Sequence, residues 1–142
     1  MSTSSQRMLL TGANGFVGRR LTAALIKRFP DAQVIRTDRS GNADGPGEAR
    51  ALDILDPAAV DALIADVKPT VVVHLAALAA VQDSLRDPRA TWQVNVMGTL
   101  EMVTAAQRHA PDAHFLYVSS AEVYGRTAFS GEPVTEDMVL QP

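Results

Sequence analysis

The most constraining stretch of this chain is its first apolar run and the way that run ends. Met8-Leu9-Leu10 reads as a short strand covered on both faces, and it stops at Thr11-Gly12. Glycine then recurs at every third position in Thr11-Gly12-Ala13-Asn14-Gly15-Phe16-Val17-Gly18. From Phe16 to Phe29 the apolar positions Val17, Leu21, Ala24 and Leu25 return at helical spacing, and Pro30 closes the segment. Gly12 permits a tight turn, Gly15 lets the backbone approach a ligand, and Gly18 lets the helix pack close to the strand. The helix start offers unpaired N–H donors to an anion such as a pyrophosphate. The spacing departs from Gly-x-Gly-x-x-Gly and lacks the Gly-Lys-Ser/Thr ending of a triphosphate-binding loop. Alone, such a run can be an ordinary turn. Between a strand and a helix it reads as a dinucleotide-binding turn.

The rest of the chain repeats the same alternation. Gln33 to Thr37 reads as a second strand ending at Asp38, and Ser40 to Gly47, with three glycines and Pro46, as a loop. Ala49 to Leu52 is the third strand. Asp56-Pro57 gives a helix cap with proline at the first helical position, and Val60, Leu63, Ile64 and Val67 line one face of the helix beyond it. Thr70 to Leu75 is a β-branched run expected to be a buried fourth strand. Asp87-Pro88 repeats the cap signal before one long helix whose apolar positions are Trp92, Val96, Leu100 and Val103, ended by Pro111. Phe115 to Val118 is the fifth strand, and beyond Gly125 the pattern becomes loop. Strands alternating with helices specify an α/β chain, a Rossmann-type doubly wound parallel sheet with right-handed crossovers. Ligands on such sheets sit at the carboxyl ends of the strands.

Composition removes other classes. The chain has 142 residues, 46% of them apolar and 20% charged, which suits one globular domain. It has no cysteine, and His74, His109 and His114 show no ligand spacing, so no metal site is expected. The 13 basic residues are scattered and the net charge is −3, which argues against nucleic acid and membrane partners. The polar start Met1 to Gln6 does not read as a signal peptide, and a cytoplasmic location is expected.

Asp38 stands at the end of strand two, twenty positions after Gly18. A carboxylate there accepts from the adenosine ribose hydroxyls and repels a 2′-phosphate, favouring NAD over NADP. Its bland alternative is a turn-starting aspartate. Arg36 or Arg39 could instead neutralise a phosphate, which keeps NADP open.

Five blocks now stand in order: Thr11-Gly-x-x-Gly-Phe-Val-Gly, Asp53-Ile54, His74-Leu75-Ala76-Ala77, Asn95-Val96-x-Gly98-Thr99 and Ser119-Ser120-x-x-Val123-Tyr124-Gly125. In order and spacing they resemble the extended short-chain dehydrogenase/reductases, the nucleotide-sugar epimerases, dehydratases and reductases. The resemblance implies a cofactor site of Gly12, Asn14, Gly15, Phe16, Val17, Gly18, Asp38, Arg39, Asp53, Ile54, Leu75, Ala76, Ala77, Asn95 and Val118. Asp53 looks like the family's adenine-contacting aspartate, or else a loop carboxylate. Asn95 looks like the asparagine that holds active-site backbone or water, or else a solvated helix-face residue. His74 reads as a satisfied core histidine. Ser120 matches the hydroxyl that bonds the substrate's reacting oxygen, although Ser119 and Ser120 could simply end a strand.

Within the family, dehydratases carry Thr-Asp-Glu or Thr-Ser-Glu where this chain has Ser120-Ala121-Glu122. Glu122 matches the proton-abstracting glutamate, while Ala121 can donate nothing. The segments around Ser84 to Ala90 and Phe115 to Gly125 look most like GDP-4-keto-6-deoxymannose reductases. The implied partner is a nucleotide sugar, with a homodimer in the full-length protein. The family's Tyr-x-x-x-Lys pair is not found: Ala121 and Ala128 stand four residues after Tyr117 and Tyr124. The 142 residues are therefore expected to be the dinucleotide-binding fragment of a longer enzyme. The competing expectation is a non-catalytic dinucleotide-binding or redox-sensing module.

Overall fold

The computed structural model describes residues 6–41 and 45–142. The expectations for the polar start and for the middle of the Ser40 to Gly47 loop lie outside the described residues. The strands are β1 (Arg7–Thr11), β2 (Gln33–Asp38), β3 (Glu48–Ala51), β4 (Val71–His74) and β5 (His114–Tyr117). They form one all-parallel sheet in the order β3-β2-β1-β4-β5. The chain order reverses between β1 and β4, so the crevice there is the place where a doubly wound sheet takes its ligand.

The strand periodicity of two sorts the core into two layers. Leu9, Ile35 and Val72 face one side, where they join Val60, Leu63, Ile64 and Val67 of α2 (Pro57–Val67) in the larger cluster. All four helix positions named from the spacing are buried. Leu10 and Val73 face the other side, with Ala13 and the half-buried Leu21 of α1 (Phe16–Arg28). Fully buried side chains such as Leu9 and Ile35 each contribute roughly 1.5–3 kcal/mol from removal of apolar surface. Asp56 caps α2 as its sequence promises, accepting from the N–H groups of Ala58 and Ala59.

Two expected faces are corrected. In α1 the buried positions are Gly18 and Thr22, while Val17 and Ala24 are exposed. A helix that sets its bare Gly18 on the preceding turn makes its closest contact there, and Thr22 tolerates burial because its hydroxyl donates to the Gly18 carbonyl at 2.8 Å. The long helix expected after Asp87 is instead three pieces. These are α4 (Pro88–Trp92), a π-helical segment Gln93–Gly98, and α5 (Thr99–His109), preceded by the short α3 (Val81–Arg86) that has no capping side chain and no sequence signal. Trp92, Val96 and Leu100 are exposed, and Gly98, Met102, Ala105 and Ala106 are buried instead. Each extra residue in a π turn rotates the downstream helix by about 100°. The small side chain of Ala105, in the same core cluster as the buried α2 residues, then lets α5 approach α2. Beyond β5 lies a 3₁₀ turn, Ala121–Tyr124, and the region after Gly125 that was read as loop contains a second, Arg126–Ser130.

Candidate dinucleotide site

Strand register assembles the site. Thr11 pairs with Thr37 on one side and His74 on the other, and Asp38 pairs with Ala51. The residues just beyond these pairs therefore converge at one end of the sheet. They enclose a cavity of about 430 Å³, within the usual range for small-molecule sites. Of the residues named from the sequence, Gly12, Gly15, Asp38, Arg39, Asp53, Ile54, Leu75, Ala76 and Ala77 line it.

The turn is built by steric exclusion. Gly12 has φ +68°, and a Cβ there would lie 2.8 Å from the Ala76 nitrogen. A Cβ on Gly18 would lie 2.4 Å from the Gly12 carbonyl oxygen. Both positions admit only hydrogen, so turn, helix and β4 terminus close together. α1 begins at Gly15 with no side chain capping it and no acidic residue in its first turn, in contrast to the Asp56-capped α2. An uncapped helix start beside a cavity suits an anionic ligand. The residues fit a dinucleotide.

Asp38 closes the opposite wall. Its Oδ1 accepts from the Ser40 backbone N–H and hydroxyl, both at 2.6 Å, and from the Gly41 N–H at 2.9 Å. Its Oδ2 accepts from the Asn14 amide. Burial alone would raise its pKa, but the Ser40 and Gly41 hydrogen bonds and the Arg36 charge outweigh it and hold the carboxylate below its usual range. The two arginines separate. The Arg36 guanidinium is tied to the Gly45 and Gly47 carbonyls at 2.9 and 3.2 Å, whereas Arg39 is exposed on the cavity wall.

The wall formed by residues 75–78 is held by a chain of side chains that sequence reasoning found only in part. Thr11 Oγ1 lies 3.2 Å from the N–H groups of both Leu75 and Ala76, which leaves its own proton for His74 Nδ1 at 2.8 Å. The imidazole is then the Nε2–H tautomer and donates to Thr99 Oγ1 at 3.1 Å, and Thr99 donates onward to the Asn95 carbonyl at 2.8 Å. Asn95 completes the chain with both ends of its amide. Oδ1 accepts from the Leu78 N–H at 2.8 Å, and Nδ2 donates to the Leu78 carbonyl at 3.0 Å. Burial pulls the His74 pKa down from 6.5 to about 4, so the ring is neutral at pH 7. The reading of His74 as a satisfied core residue agrees with this placement. Thr11 and Thr99 stand in the quoted motifs but were given no role in the site. Their signal is a hydroxyl at the end of a buried strand, and the i, i+4 spacing from Asn95 to Thr99.

Other named residues stand outside the cavity lining. Phe16 and Val17 are exposed on the first turn of α1, Gly18 is packed against the glycine turn, and Asn14 reaches the cavity through Asp38. Asn95 lines a separate small cavity with Ser84, Pro88, Thr91 and Trp92. Val118 is exposed just past β5, donating to the His74 carbonyl at 3.4 Å. Ser120 and Glu122 are exposed, and Ser120 Oγ accepts from the Glu122 N–H at 3.2 Å. Leu52, Leu55, Leu78, Ala90, Gln93 and Val94 line the main cavity without having been assigned to the site from the sequence.

Comparison with known proteins gives a consistent set. The sequence profile of the NAD dependent epimerase/dehydratase family matches residues 8–142. A GDP-6-deoxy-D-mannose reductase of Pseudomonas aeruginosa is 31% identical over 97% of this chain and 41% of its own. A UDP-glucose 4-epimerase of Corynebacterium glutamicum is also 31% identical, over 96% of this chain and 41% of its own. The crystal structure of a Brucella ovis UDP-glucose 4-epimerase in complex with NAD superposes with a TM-score of 0.85 at 26% identity, over 97% of this chain and 42% of that one. The chain thus spans about two fifths of the relatives it matches.

Proposed function

The chain belongs to the NAD dependent epimerase/dehydratase family, and from that premise we propose that it is the dinucleotide-binding part of a nucleotide-sugar oxidoreductase acting at C4 of the hexose, its reaction the reduction of GDP-4-keto-6-deoxymannose. The observation that carries the dinucleotide reading is the cavity at the sheet's switch point. There a bare glycine turn, an uncapped helix start and the Asp38 carboxylate face one another. Gly12, Gly15 and the α1 start would take the pyrophosphate, Asp38 the adenosine ribose, and Asp53 with Ile54 the adenine side. The preferred cofactor is NAD(H), with Arg39 the residue available to a 2′-phosphate.

When bound, the reduced nicotinamide supplies hydride to C4. The residues of this chain orient the sugar and shape the site. Ser120 donates a hydrogen bond to the C4 oxygen, and the family's tyrosine, not found among these residues, delivers the proton that completes the alcohol. Reduction is favoured over dehydration because Ala121 stands between Ser120 and Glu122, where water loss needs an acid. The similarity to the Pseudomonas aeruginosa reductase supports the same choice. A non-catalytic dinucleotide-binding module is the second reading, favoured by the alanines at positions 121 and 128 where a lysine would accompany each tyrosine.

The full-length protein, given a GDP-linked 4-keto-6-deoxy hexose, should oxidise NADH or NADPH stoichiometrically with loss of the keto group. Given GDP-mannose alone it should form little 4-keto product. Efficient dehydration of GDP-mannose without added reductant would overturn the reductase assignment. Absence of both reactions with dinucleotide binding intact would favour the second reading.

A further inference from the structure

We infer that Asn14 is a specificity-determining residue: its amide clamps the Asp38 carboxylate between the glycine turn and the end of β2, and so makes the site select a dinucleotide with a free 2′-hydroxyl. This rests on the dinucleotide reading above and adds to it a residue that acts through another.

A carboxylate has two oxygens and about four lone-pair directions. Oδ1 of Asp38 is taken by three donors of its own turn, from Ser40 and Gly41. Those bonds hold Oδ1 but come from the segment that carries Asp38, so they do not tie it to the rest of the site. The tie to the glycine turn through the side chain is the Asn14 bond to Oδ2. Beside it the same two segments share a backbone bond, from the Ala13 N–H to the Thr37 carbonyl at 3.1 Å. With Oδ1 saturated, Oδ2 is the atom left to accept from a ribose hydroxyl, and Asn14 holds that atom. Asn14 follows Gly12 and Ala13 and precedes Gly15, so the pyrophosphate-facing turn and the ribose-facing carboxylate are positioned as one unit.

The clamp has opposite consequences for the two dinucleotides. A fixed Oδ2 rewards a 2′-hydroxyl, which can donate to it. The same fixed charge repels a 2′-phosphate, which cannot. Arg39 is exposed on the same wall and would meet such a phosphate if Asp38 were free to turn away. Loosening Asp38 should therefore weaken NADH and spare or favour NADPH. A residue that merely supports the turn would weaken both equally, because both carry the same pyrophosphate.

The test titrates the chain and its variants, each shown to be folded by circular dichroism, with NADH and NADPH. The wild type should bind NADH more tightly. Asn14→Ala should lose on the order of tenfold in NADH affinity, the scale of one hydrogen bond to a charged group, with NADPH changed less than about twofold. Asp38→Ala should narrow the preference as well, and the double variant should narrow it no further, because both substitutions act through one carboxylate. Asn14→Leu has about the same size but neither donor nor charge and should give the same narrowing, which covers an Asn14→Ala chain that does not fold. Equal weakening of both dinucleotides, or additive effects in the double variant, would overturn the inference. So would a wild type that binds NADPH as tightly as NADH, with the dinucleotide reading still standing. A folded wild type that binds neither dinucleotide would overturn that reading, and the inference with it.

Discussion

His74 is an ionisable side chain placed where its charged form cannot be solvated. It is 1% exposed and flanked by two threonine hydroxyls, and the geometry at Nδ1 requires an acceptor there, because Thr11 already receives two backbone N–H groups. The folded ring therefore resists protonation down to about 4, against 6.5 for the free side chain. Between those values the unfolded chain binds a proton that the folded chain refuses. Stability is full above pH 6.5, falls as the pH drops, and by about pH 4 has lost on the order of 3 kcal/mol from this group. Urea unfolding midpoints measured from pH 7.5 to 4 should show this decline. His74→Gln, less stable at pH 7, should show a flatter profile across the same window. An unchanged slope in that variant would mean that His74 is not the group being titrated.

Among the elements, the π-helical segment Gln93–Gly98 has the largest consequence for the site. It places Asn95 over Leu78 while letting the buried stripe of α5 continue from Gly98 through Met102. π segments occur mostly as single turns inside α-helices, frequently beside functional sites. Asn95→Ala would leave the N–H and carbonyl of Leu78 without their partner, at a cost of about 1–3 kcal/mol. Because Leu78 lines the main cavity, dinucleotide binding should fall along with stability. Asn95→Asp keeps the acceptor for the Leu78 N–H but sets a carboxylate oxygen against the Leu78 carbonyl, so it should rescue neither property. Thermal unfolding and NADH titration of the two variants check this. A wild-type midpoint and affinity in Asn95→Ala would show that the clasp on Leu78 carries no weight.

For the whole molecule, the two edges of the sheet differ. β3 carries Glu48 and Arg50, which pair with each other at 2.6 Å, and such charges discourage edge-to-edge association. β5 is His114–Tyr117, with Leu116 and Tyr117 about half exposed and Val118 just beyond. Its apolar edge is followed directly by the segment that carries Ser120, the residue proposed to meet the sugar oxygen. The 142-residue chain should bind dinucleotide yet catalyse no turnover of a nucleotide sugar. Hydride transfer at C4 needs a matched proton transfer at the C4 oxygen, and neither tyrosine has the lysine four residues on that accompanies the family's acid/base tyrosine. Spectrophotometric assay of this chain beside the Pseudomonas aeruginosa reductase decides the point. Equal rates would mean that the acid/base group lies among these residues and has been misassigned.

The boundary between features readable in the chain and features that needed the fold runs along the range of the interactions. Strand positions, the Asp56 cap, the α2 face and the glycine turn depend on residues a few positions apart, and all were legible. Gly12, Asp38, Asp53 and the 74–77 run read as one candidate site because each stands at or just past the carboxyl end of a strand, and parallel strands align their ends. The apolar faces of α1 and of the helix after Asp87 were misread. Local spacing of Val17, Trp92, Val96 and Leu100 could not reveal that bare glycines and alanines would make the close contacts. The clasps were beyond reach as well. Asn14 meets Asp38 across 24 residues, and Thr11 meets His74 across 63. Such pairs exist only once the sheet has set its register, because no local pattern records which hydroxyl or amide will face a given buried acceptor.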